Sequence, residues 1–238
     1  MDPKFKVLTN RLGAIADLNN AAAVLRWDQQ TYMPRGATRA RAQQLATLRQ
    51  TAHEWLIADE TGQLLDGLEP QTEDLEYDSF EASLVRVTRR DYDRQRKLPS
   101  DLVARLTQAT ALGHEAWEQA REASDFALFL PHLDEILDLS VETAEALGYE
   151  DRIYDALLDR FEPELKTARV EELFSEMKAG LVPLVQAIAE RQDGAGDPFF
   201  AQDFPVDRQR DFGLEVIRRL GFDFEHGRQD RSAHPFTT

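Results

Sequence analysis

Residues 5–27 read FKVLTNRLGAIADLNNAAAVLRW, and Phe5, Leu8, Leu12, Ile15, Leu18, Ala22 and Leu25 fall at steps of three and four. That spacing lays a single apolar stripe along a helix. At 1.5 Å per residue the helix is roughly 33 Å long. The stripe ends at Trp27-Asp28-Gln29-Gln30-Thr31-Tyr32-Met33-Pro34, where Pro34 and Gly36 break the pattern.

Working outward, the period stays helical. Helices are predicted over 38–58, then 72–96 after a turn at Thr61-Gly62. A fourth starts at Pro99-Ser100-Asp101, with Ser100 placed to cap free amides and Asp101 suited to the helix dipole. The next spans 124–148, where Pro131 should shift its start or kink it and Gly148 suits a left-handed C-cap. Shorter and longer segments follow at 154–161, at 168–191 with a bend at Pro183, and from Pro205 to Leu220. Residues 222–226, Phe222-Asp223-Phe224-Glu225-His226, alternate like a strand but have no second strand to pair with. The expected fold is therefore all-α, with layered long antiparallel helices and at most one short orphan strand near the C-terminus. Residues 1–238 read as one helical region with a loop or sub-boundary near 193–204, and the chain ends as if interrupted midway.

Composition limits the function classes. With 42% hydrophobic and 30% charged residues the chain resembles an ordinary globular protein. No apolar run approaches the roughly 18 residues of a membrane span, so no membrane role is expected. The start, Met1-Asp2-Pro3-Lys4-Phe5-Lys6, lacks a secretory core, and there is no cysteine, so a cytoplasmic location is expected. A net charge of −16 argues against nucleic acid, which needs a basic stripe. Arginines cluster at 35–49 and 86–96, but among acids at helical spacing, as on a salt-bridged helix face.

Chemistry is sparse. Metal sites need His, Cys, Asp or Glu at defined spacing. None of the five histidines lies four residues from another, so there is no HExxH helix. His114 and Glu118 share a helix face and could give two ligands, but no third is near; an exposed ion pair beside a packed Trp117 is the plainer reading. His53-Glu54 is weaker, since position 57 is Ile57. There is no GxSxG elbow, and Gly194-Ala195-Gly196 follows a helix and not a strand, so it is a linker. Any pair among 44 acidic residues is uninformative. The residues alone lead to a helical protein without a complete site.

Four segments in order resemble the carboxypeptidase Taq family of metallocarboxypeptidases. They are Trp27-Asp28-x-x-Thr31-x-Met33-Pro34 with the Arg- and Gln-rich helix after it; Tyr154-Asp155-Ala156-Leu157-Leu158-Asp159-Arg160-Phe161-Glu162-Pro163; the 174–184 helix ending Leu181-Val182-Pro183-Leu184; and Gly221-Phe222-Asp223 followed by Asp230-x-Ser232-x-His234-Pro235-Phe236. Glu164 stands where the family often has glycine. The match spans nearly the whole chain but only about half of a full-length member.

The resemblance implies a bilobed helical protein with a deep groove. It implies zinc or cobalt held by an HExxH helix plus a later glutamate, and a metal-activated water that removes C-terminal residues from peptides. Those ligands, the general base and any carboxylate-binding arginine should all lie beyond His234-Pro235-Phe236, so no catalytic residue, metal ligand or cofactor is assigned to this chain. His234, Pro235 and Phe236 are expected on the groove wall. Trp27, Asp28, Met33, Pro34, Tyr154, Asp159, Glu162 and Pro163 are expected to be structural: Trp27 packed at a helix junction, Asp28 capping amides of the next turn, and Tyr154, Asp159 and Glu162 bracing helices through buried hydrogen bonds. Two readings follow. One is the N-terminal, non-catalytic half of such an enzyme; the other is a stand-alone helical scaffold or interaction module that has lost catalysis. A homodimer fits either.

Overall fold

The structure, a computed structural model, describes residues 3–191 and 201–237. Among them the chain forms α1 (Pro3–Thr31), α2 (Thr38–Ile57), α3 (Asp59–Leu68), α4 (Phe80–Gln95), α5 (Ser100–Ala123), α6 (Leu130–Leu147), α7 (Ile153–Leu158), α8 (Thr167–Arg191) and α9 (Val206–Arg219). The fold is all-α, and no strand occurs among the described residues. Two compact units are distinguished: Met1–Leu165 with Ser232–Thr238, and Lys166–Arg231.

In the first unit the opening stripe turns Phe5, Leu8, Ile15 and Ala22 into the interior. Polar contacts along α1 and α2 fix their antiparallel sense. Arg41 meets Asp28 at 2.7 Å, Arg49 meets Asn19 at 2.6 Å, and Arg11 donates to the Trp55 carbonyl at 2.8 Å. α2 runs against α5 in the same way, from Arg35–Glu122 at one end to His53, which donates to the Leu98 carbonyl at 3.0 Å, at the other. α5 and α6 follow suit through Arg105–Glu142. Ala22, Ala42 and Ala111 line the α1–α2–α5 crossing beside Leu45, and such small side chains let helix axes approach closely. A second cluster joins α1, α3 and α4 through Phe5, Leu8, Leu65, Leu68, Val85 and Tyr92. Each fully buried leucine there contributes about 1.5–3 kcal/mol.

Several predicted boundaries move. Thr61-Gly62 lies inside α3 and is not a turn, because Gly62 makes room for Tyr92: a β-carbon there would stand 2.3 Å from the Tyr92 hydroxyl. The helix predicted from 72 begins only at Phe80. Thr72 bonds back to the Glu69 carbonyl at 2.9 Å, and Ser79 is the N-cap, accepting from the Ala82 amide. Ser100 is the first residue of α5 and caps nothing. Ser124 ends α5 with φ +53, Asp125 caps a short 3-10 turn, and Pro131 enters the first turn of α6, where its missing N–H is harmless. Gly148 does end α6 with positive φ, but its ψ of 149° is extended and not left-handed helical. The segment predicted over 154–161 is helical only over Ile153–Leu158.

In the second unit α8 continues through Pro183 and contains no buried residue. Most of the loop expected at 193–204 lies outside the described residues, which exclude 192–200. α9 opens after Pro205 as expected. The orphan strand at 222–226 is a turn. The Asp223 carboxylate accepts from the Glu225 amide at 2.9 Å and lies 2.7 Å from His226 Nδ1, while its carbonyl accepts the amides of His226 and Gly227. Asp223 thus gives the backbone a local alternative to a ladder. Those two contacts, the Glu225 amide first and His226 second, hold its carboxyl below the usual range.

Candidate functional site

On α5, His114, Trp117, Glu118 and Arg121 recur at three- and four-residue steps and so share one face. His114 stacks on Trp117 with centroids 5.7 Å apart and planes 16° from parallel. Its Nε2 lies 3.7 Å from Glu118 and is buried without a hydrogen-bond partner. The pair expected to be exposed is therefore half-buried, since Trp117 covers it. Arg121 sets its guanidinium 5.4 Å from the Trp117 ring and donates to the Ala233 carbonyl. That bond ties the His234-Pro235-Phe236 segment to α5.

The His234 ring meets the edge of Trp117 at 6.0 Å, and its Nδ1 donates to the Pro235 carbonyl at 2.8 Å. His234 and Pro235 are exposed and Phe236 is half-buried. Arg35 closes one side of this face. It bonds Glu122 at 2.8 Å and approaches Glu115 at 4.0 Å, and the Glu122 hydrogen bond raises its pKa. The result is an aromatic shelf flanked by Arg35 and Arg121 and by the carboxylates of Glu115, Glu118 and Glu122, with His234 at its edge, an arrangement suited to contacting a chain.

The other motif residues are divided. Trp27 does pack at the α1 end, edge-on to Tyr32 at 5.6 Å. The Asp28 carboxylate pairs with Arg41 across the helices and caps no amide; its backbone carbonyl takes the Tyr32 and Met33 amides instead. Pro34 closes the turn by accepting from Ala37. Asp159 braces α7 against α4: Oδ2 accepts from Arg90 at 2.9 Å and from Arg94, and Oδ1 accepts the Glu164 amide at 2.8 Å. Tyr154 is 56% exposed, and Glu162 and Pro163 are exposed as well. Tyr154 and Glu162 are thus not buried braces.

The arginines read as a salt-bridged helix face do form ion pairs, several of them reaching beyond their own helix, as in Arg41–Asp28, Arg89–Glu69 and Arg94–Asp159. Arg121 is the residue that sequence reasoning missed. Its only signal was its position seven after His114 and four after Trp117.

A model of the carboxypeptidase Taq (M32) metallopeptidase family matches residues 7–238. The chain belongs to the carboxypeptidase Taq family. It is 30% identical to Carboxypeptidase 1 of Bacillus subtilis over 95% of its own length, and 34% identical to Thermostable carboxypeptidase 1 of Thermus thermophilus over 93%. The solved structure of BsuCP superposes on 98% of the chain with a TM-score of 0.91 at 29% identity. The chain spans about 45% of the length of those two curated carboxypeptidase Taq relatives and 46% of that solved chain. As a metallopeptidase family, carboxypeptidase Taq implies a metal centre. The side chains here do not fit one: among the described residues no three His, Asp or Glu converge on a common point. His114 and Glu118 offer two donors, with the His114 ring stacked on Trp117. No helix among the described residues is long and apolar enough to cross a membrane.

Proposed function

We propose that this chain is the N-terminal helical half of a carboxypeptidase Taq-like metallocarboxypeptidase, and that alone it hydrolyses no peptide. His234, Pro235 and Phe236, held on α5 by Arg121 and Trp117, form part of the wall along which the peptide lies in the assembled groove. The observation that carries this reading is partial coverage: a family match over nearly the whole chain that accounts for under half of each relative. That no donor set converges among the described residues supports assigning the metal, zinc or cobalt, to the remainder of the enzyme. A stand-alone scaffold calls for a polar exterior or self-association, and the exposed apolar side chains of α8 favour the half-enzyme.

The test incubates the purified chain with zinc and then cobalt, followed by metal analysis and an assay on a blocked dipeptide. No turnover and no stoichiometric metal are expected. Tightly bound metal with turnover refutes the proposal.

A further inference from the structure

On α8, Leu173, Phe174, Met177, Leu181, Leu184 and Ile188 are all between 41% and 57% exposed. At 3.6 residues per turn they fall within an arc of roughly 100° over about 22 Å of helix. Glu172 and Glu190 lie on the opposite side of the helix, and Glu176 flanks the arc. A surface helix ordinarily turns such an arc inward, yet none of the 25 residues of α8 is buried. The solved BsuCP structure matches 98% of this chain, α8 included, and holds a further half of its own chain beyond the match. An apolar helix face without cover, in a chain that accounts for under half of its relatives, calls for an apolar helical partner of comparable size.

We infer that the apolar face of α8 is a docking surface for the complementary half of a carboxypeptidase Taq enzyme, able to capture that half as a separate polypeptide. The inference rests on the half-enzyme reading above and adds to it the face and the occupant. Capture buries the stripe, whereas the polar side of α8 stays wet.

The probe is the portion of Bacillus subtilis Carboxypeptidase 1 outside the matched 45%, produced as its own polypeptide and mixed with the intact 238-residue chain. Sedimentation velocity and titration calorimetry read the complex, and the Bacillus chain's own matched portion is the positive control. Leu181→Asp places a charge in the centre of the stripe, and Val24→Asp on α1 controls for an added exposed charge; circular dichroism checks that both keep their helix content. The expected result is a 1:1 complex that Leu181→Asp weakens at least about tenfold and Val24→Asp leaves unchanged.

Equal binding by the wild type and Leu181→Asp overturns the α8 assignment while leaving the half-enzyme reading intact. No binding by the wild type, with the control pair associating, overturns both. Self-association abolished by Leu181→Asp, without capture of the probe, makes a second copy the occupant and overturns the inference.

Discussion

Glu164 holds φ +68, a conformation that L residues rarely adopt. Replacing it with glycine isolates that strain. The left-handed region costs an L side chain about 1–2 kcal/mol. Glycine escapes this cost but raises the entropy of the unfolded chain by the equivalent of about 0.5–1 kcal/mol. The difference spans about 0–1.5 kcal/mol and centres on about 0.75 kcal/mol in favour of Glu164→Gly. Glu164→Ala keeps the β-carbon and is expected to stay within about 0.5 kcal/mol of the wild type. The amide bond to Asp159 belongs to the backbone and survives both changes.

Urea unfolding followed by tryptophan fluorescence is the suitable assay, because Trp27, Trp55 and Trp117 all lie in the unit that contains Glu164. The glycine variant should shift the midpoint upward at unchanged slope, and raise Tm by about 1–4 °C. A glycine variant no more stable than the alanine variant refutes the strain argument.

Two further outcomes follow from the polar contacts. Asp159→Ala removes the acceptor of Arg90, Arg94 and the Glu164 amide, and should cost about 1–3 kcal/mol in the same urea assay; an unchanged midpoint would mean the clamp is not stabilising. Asp223, whose carboxyl is held below the usual range, stabilises its turn above the unfolded-state pKa, and that contribution is lost as pH falls through the lower folded-state value. The protection factor of the Glu225 amide should therefore fall on acidification into that range in the wild type but not in Asp223→Asn; parallel profiles would exclude the carboxylate as the cause.

The helical class was legible because the stripe from Phe5 to Leu25 has one period over seven residues, and the same face is found turned inward. What escaped was set by contacts distant in sequence. Gly62 looks like punctuation until Tyr92, thirty residues later, is seen resting on it. Residues 222–226 alternate as a strand does, but a short-range aspartate contact outcompeted a ladder that had no partner. The helix predicted from 72 starts only at Phe80, because Ser79 is the cap. Of the candidate site, the sequence offers the His-Pro-Phe triplet only through its resemblance to a family. Its anchor on Arg121 was not legible, since 112 residues separate Arg121 from Ala233.

The first unit is discontinuous: its last piece, Ser232–Thr238, is encoded after the whole of Lys166–Arg231. During synthesis, then, the Trp117–Arg121 shelf is complete long before the segment that caps it leaves the ribosome. At about 5–20 residues per second the delay is on the order of several seconds, far longer than helices need to form. Throughout that interval a nascent-chain binder would find the indole edge that His234 later meets still open.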